Sequence, residues 1–138
     1  MLQLHHHLNQ LSIFASALIL WILGAIWYSP PLFSKPWMKL LGFDKYVPHK
    51  NTLVPGMMAS FVCDFILSFV LANFIIWTGA DTFAWGALTG LIIWIGFFVA
   101  PNLPQSIYEN RPFRLFAINN GYWLVGLPLV GGVIAIWR

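Results

Sequence analysis

The chain has 138 residues, of which 59% are hydrophobic and 8% charged, with seven Lys or Arg against four Asp or Glu. Soluble domains carry about 25% charged residues, so the composition excludes a cytosolic domain and a disordered chain alike. The single cysteine, Cys63, excludes an internal disulfide and any multi-cysteine zinc or iron-sulfur site.

The predicted fold is all-α: one polytopic membrane domain over residues 1–138, with four transmembrane helices paired as two hairpins. Crossing a hydrocarbon core takes about 20 apolar residues, and four stretches meet that length. The first covers residues 8–28. No Lys or Arg precedes it and no small-x-small pattern follows, so it is expected to remain as a membrane helix, not to be cleaved as a signal peptide. His5, His6 and His7 stand before it, but consecutive histidines do not share a helical face, and no span contains a histidine. No metal site, haem or other cofactor is therefore expected.

The connection that follows contains residues 34–42, predicted as a short interfacial helix with Pro36 in its first turn and Gly42 past its end. Trp37, Leu40 and Leu41 are expected to face lipid, with Lys35 and Lys39 in water.

The second span, residues 53–77, places Gly56, Ser60, Asp64, Ser68 and Ala72 at every fourth position, a stripe suited to close helix packing. Asp64 is the only ionisable side chain near the middle of any span. An unpaired charge at that depth costs on the order of 2.5 to 3.5 kcal/mol on insertion scales, so the carboxyl is expected to be neutral unless water or a cation reaches it. It is either a proton or cation site or a structural hydrogen-bond donor. Counting from the cytoplasmic end of each span puts Ser16, Thr89 and Leu124 at its depth, with Tyr122 and Trp123 within a turn.

The third span is predicted over residues 82–100, stopping before Pro101 and Pro104 and carrying Gly86 and Gly90 as a small-residue face. The fourth, residues 113–137, holds Asn119, Asn120, Gly121 and Tyr122, then Pro128, Gly131 and Gly132. Buried amides need partners, so Asn119 and Asn120 either form a substrate-facing polar bend or tie helices together. The candidate polar or transport site is thus Asp64, Ser60, Ser68, Asn119, Asn120 and Tyr122. Leu18 to Ile22 resembles Leu91 to Ile95, which suggests a parallel repeat of the two hairpins.

Six of the seven Lys and Arg (Lys35, Lys39, Lys45, Lys50, Arg111 and Arg114) lie on or beside the two long connections, and only Arg138 lies at the other side. That bias predicts cytoplasmic connections and both termini outside. The bilayer is the expected partner, with anionic lipids at the cytoplasmic face, and the net charge of +3 calls for no nucleic acid. Most Trp residues fall near span ends, as interfacial anchors do. The small-residue stripes exceed what one small bundle needs, which makes a homodimer the expected assembly.

The block Trp27, Tyr28, Ser29, Pro30 with Lys35 and Trp37, and the Asn119-x-Gly121-Tyr122 block, resemble a family of small bacterial membrane proteins known only as a domain of unknown function. The resemblance spans nearly the whole chain. It implies a four-span protein of the bacterial inner membrane, and it singles out Trp27, Tyr28, Ser29, Pro30, Lys35, Trp37, Asn119 and Tyr122. It implies no reaction, and an acid at Asp64 is not part of the pattern. No nucleophile, base and oxyanion set can be assembled from the residues, so an enzyme is not expected. A small homo-oligomeric permease or channel using the mid-membrane polar site is the expected function. The alternative is a noncatalytic scaffold or lipid-binding module.

Overall fold

The computed structural model describes residues 8–42 and 50–137, with Lys50 and Asn51 described in their backbone alone. The histidine run at residues 5–7, and Lys45, His49 and Arg138, lie outside the described residues. Among the described residues all regular structure is helical, and four helices are long and apolar enough to cross a membrane.

Helix α1 (Gln10–Trp27) starts at Asn9, whose side-chain oxygen accepts the N–H groups of Leu11 and Ser12 and so satisfies two free donors of the first turn. Helix α2 (Ser34–Leu40) occupies the predicted position, and Gly42 follows it at φ 79°. Helix α3 (Lys50–Thr78) starts three residues before the predicted boundary. It ends where Gly79 takes φ 68°, with the N–H groups of Gly79 and Ala80 returning to the carbonyls of Ile76 and Ile75. This left-handed cap turns the chain within four residues into α4 (Phe83–Ile93), whose N-cap Thr82 accepts from the Trp85 N–H.

The third span corrects the prediction. It does not stop at residue 100 but runs from Phe83 to Tyr108. Between α4 and α5 (Ala100–Tyr108) the helix widens into a π-helical segment over Trp94–Val99. Pro101 falls in the first turn of α5, where a missing N–H matters least, and the carbonyl of Phe98 is taken up by the Asn102 side chain at 2.7 Å. The helix runs on past both prolines that read as a stop, with Pro104 inside α5. At Asn110, φ 51°, a second left-handed cap leads to α6 (Phe113–Ile136), which continues through Pro128.

Helix α6 is the hub of the bundle. Half of its most apolar window is buried, against 22–28% for the other three spans. It runs antiparallel to α1, joined by Asn9 Nδ2 to the Trp137 carbonyl at one end and Trp27 Nε1 to the Ile118 carbonyl at the other, both at 3.0 Å. Against α4 it packs backbone to backbone: a Cβ on Gly86 would lie 2.2 Å from the Gly131 oxygen, and one on Gly90 2.3 Å from the Leu127 oxygen. Gly86, Gly90, Gly131 and Gly132 are therefore consumed within one chain, and that surface is not left over for a second copy. Buried Leu20, Leu71, Ile75, Leu127 and Val130 form the core around this seam.

Helix α3 packs less evenly. Its second half buries Asp64, Ser68, Leu71, Ala72 and Ile75, whereas residues 52–60 are exposed throughout. The predicted stripe is accordingly two things: a packing seam from Asp64 onward, and, at Gly56 and Ser60, one wall of an open crevice. Trp21 Nε1 donates to the Met57 carbonyl across the α1–α3 pair, and Trp94 Nε1, at the start of the π-helical segment, donates likewise to the Asn120 carbonyl on α6. The two residues occupy matching positions in the proposed repeat.

Candidate functional site

The two sequence blocks singled out by the family resemblance meet in space. Asn119, two turns into α6, presents its side-chain oxygen to two donors: the Tyr28 hydroxyl at 3.0 Å and the Trp37 indole N–H at 3.1 Å. An indole nitrogen can only donate, so the amide orientation of Asn119 follows from chemistry. Trp27 Nε1 donates to the Ile118 carbonyl, and Gly121 lies beneath its ring, where a Cβ would come within 3.2 Å. Tyr122 is 6% exposed and its hydroxyl donates to the Leu20 carbonyl at 2.9 Å; its ring lies 6.1 Å from that of Tyr28. Together these residues bolt α1, α2 and α6 at the end of the bundle that carries Lys35, Lys39, Arg111 and Arg114.

Trp37 therefore does not face lipid, as the interfacial-helix pattern predicts. Its N–H has a fixed acceptor on α6 and its ring an edge contact with Tyr28 at 5.5 Å, which turns it inward while Lys35 and Lys39 stay exposed. Ser29 acts locally, its hydroxyl donating to the Ile26 carbonyl, and Pro30 is exposed in the turn.

Beside this junction lies a crevice of about 590 Å³ between α1, α3 and α6. Its walls include Trp21, Tyr28, Met57, Tyr122 and Trp123, with Ser60, Cys63 and Asp64 along α3. Asp64 is 6% exposed, and among the described residues no hydrogen bond or ion pair reaches its carboxyl. Tyr122 and Trp123 are the neighbours predicted for it. Thr89 is not: it lies beside Thr78 at 3.4 Å, near the far end of α3. The depth count failed there because the third span continues eight residues past its predicted end, which moves every residue of α4 outward relative to Asp64. Ser16 is fully buried, with no partner for its hydroxyl among the described residues, and Leu124 is exposed on the outer side of α6. Ser68 is likewise buried and unpartnered, and it belongs to the packed half of α3.

A second, smaller cavity of about 190 Å³ lies between α5 and α6 and is polar. Asn102, Gln105 and Ser106 of α5, with Glu109 just past its end, line it at spacings of three, four and seven residues, opposite Asn119 and Asn120. The Asn120 amide donates to the Phe116 carbonyl at 3.1 Å, and its oxygen is buried without a partner among the described residues. Glu109 is paired with Arg111, and the Gln105 amide donates to it at 2.8 Å; that hydrogen bond first, then the guanidinium, holds its carboxyl below the usual glutamate range. The polar row on α5 is helically spaced in the sequence, but a span ended at residue 100 hides it. Trp21 is absent from the site residues that the sequence suggests, because a tryptophan near a span end reads as an interfacial anchor. Trp123 lines both cavities.

Among the described residues, no three His, Cys, Asp or Glu side chains come together as metal ligands. The family model described as Protein of unknown function (DUF1761) matches residues 11–135, and the chain belongs to that family. No curated protein and no solved structure matches it.

Proposed function

We propose that this four-span member of the family is a small membrane permease whose substrate enters the crevice between α1, α3 and α6 and reaches Asp64 at its inner end. One observation carries this reading: a carboxyl buried in an apolar helix, without a hydrogen bond or counter-charge among the described residues, at the wall of a cavity of about 590 Å³. An intramembrane acid is costly to keep, and one facing a cavity is a functional-site candidate where one sealed in the core would be structural. The uneven packing of α3 supports movement. Its second half is anchored in the core, and its first half is tied to α1 by the Trp21 hydrogen bond to Met57. Swinging the first half about the anchored half would narrow or widen the crevice, the kind of rearrangement by which a fixed site is exposed to one side.

By the positive-inside bias the basic end, with exposed Lys35, Lys39, Arg111 and Arg114, is the cytoplasmic one in this reading and both termini face outward, and the resemblance to small bacterial membrane proteins supports an inner-membrane location. The same exposed charges favour the second reading, a noncatalytic module that binds anionic lipid.

Proteoliposomes decide between them. Flux of protons and of a panel of cationic, neutral and anionic amphiphiles is expected to be carried by the native protein and lost in Asp64→Asn, with the unfolding midpoint unchanged. A protein that carries none of the panel, but retains anionic lipid through purification, would establish the lipid-binding reading and reject transport.

A further inference from the structure

The walls of the Asp64 crevice specify the charge of its occupant. This inference rests on the crevice being the substrate site and adds the chemistry of what it takes. We propose that the occupant is a hydrophobic organic cation without strong hydrogen-bond donors, of the quaternary ammonium or phosphonium class, held by the Asp64 carboxylate and the aromatic faces around it.

The hydrogen-bond inventory of the walls points that way. Trp21 donates to the Met57 carbonyl, Tyr28 to Asn119, Ser60 to the Gly56 carbonyl and Tyr122 to the Leu20 carbonyl. Those four donors are spent inside the protein, which leaves the Trp123 indole N–H as a strong donor without an acceptor among the described residues, so a neutral polar ligand or an anion finds little to accept from. Among the described residues that line it there is no Lys, Arg or His, so from these an anion meets no counter-charge and one like charge. What the crevice does offer is a carboxylate with no partner among the described residues and four aromatic rings, from Trp21, Tyr28, Tyr122 and Trp123. Tyr122 and Trp123 lie side by side, with ring centroids 4.5 Å apart, and Tyr28 stands 6.1 Å from Tyr122. Aromatic faces with a nearby carboxylate are the surroundings that attract onium groups, through the ring quadrupole and the opposite charge together.

Size and access agree. A cavity of about 590 Å³ accommodates a drug-sized molecule, and pockets of that kind are mainly apolar with a few placed polar groups. Its α3 wall begins in the exposed stretch of residues 52–60, so an amphiphile that partitions into the bilayer can reach the crevice along α3 without crossing water.

The test is equilibrium binding to the full chain in nanodiscs, using tetraphenylphosphonium, the isosteric anion tetraphenylborate and neutral triphenylphosphine oxide. Saturable binding of the phosphonium is expected, with Asp64→Glu retaining it and Asp64→Asn weakening it by about tenfold or more, the loss of its one counter-charge. On the native protein, phosphonium is expected to protect Asp64 from dicyclohexylcarbodiimide, read as the mass of the modified chain, which needs no variant to fold. Equal or tighter saturable binding of the borate, or phosphonium binding without protection of Asp64, overturns the proposal. The two readings fail separately. Phosphonium that binds but is not transported rejects the permease and keeps the cation site; flux of neutral or anionic amphiphiles alone rejects the cation and keeps the permease.

Discussion

Replacing Gly86 by alanine tests the seam on which the whole arrangement hangs. The new methyl would lie 2.2 Å from the backbone oxygen of Gly131, 2.5 Å from the Ala135 methyl and 2.8 Å from the Gly131 carbonyl carbon. Ordinary contact begins at 3.4 Å, so α4 and α6 must separate by about 1.2 Å at this level. The obstacle is backbone, which cannot rotate away as a side chain would. Overpacking a close-packed interior costs about 1 to 3 kcal/mol, and a backbone clash on the hub helix places Gly86→Ala at the upper end, near 3 kcal/mol. Gly56 is the matched control: it is also helical, but a Cβ there meets nothing within 4 Å. Gly56→Ala is expected to stabilise by about 0.5 to 1 kcal/mol, the helix propensity difference alone. Reversible unfolding of both variants in bicelles measures the contrast. Equal stabilities for the two variants would refute the backbone-to-backbone seam, and with it the placement of α6 at the centre.

Asn119→Leu removes the acceptor of Tyr28 and Trp37 and should destabilise by about 1 to 3 kcal/mol in the same unfolding assay, whereas Asn119→Asp keeps an acceptor oxygen and should cost less. Tyr122→Phe removes one hydrogen bond to a carbonyl already within a helix and should cost only about 0.5 to 1.5 kcal/mol. Cys63, exposed beside Asp64 on the crevice wall, should react faster with a cationic thiosulfonate than with an anionic one when the carboxyl is ionised, and Asp64→Asn should remove that preference; no labelling at all would mean that lipid, not water, fills the crevice. Because Glu109 is held below the usual glutamate range, whatever stability it adds over Glu109→Gln should be present at neutral pH and vanish as the pH falls through its lowered titration, a difference visible in unfolding midpoints against pH.

The sequence by itself determined the four helices, the clustering of basic residues at one end, and Asp64 as the one acid in the middle of a span. Each follows from composition along a single segment: hydropathy over about 20 residues, charge at the flanks, one polar group where lipid is expected. It also marked the residues of the Tyr28, Trp37 and Asn119 junction, though only as members of a resemblance. Their meeting required the fold, because they are contributed by three helices and joined by hydrogen bonds across 82 and 91 residues of chain. Span length was misread at Pro101 because the remedy, a widened turn over Trp94–Val99, is a backbone adjustment that no residue type announces. The identity of the central helix was equally hidden: all four spans are apolar on every side, and lipid is as apolar as a neighbouring helix, so periodicity cannot tell a buried face from a lipid-facing one. The tertiary structure alone decided that the stripe from Gly56 to Ala72 is half seam and half crevice. The stripe is uniform in residue size, and what differs along it is whether α1 and α6 lie close enough to cover it.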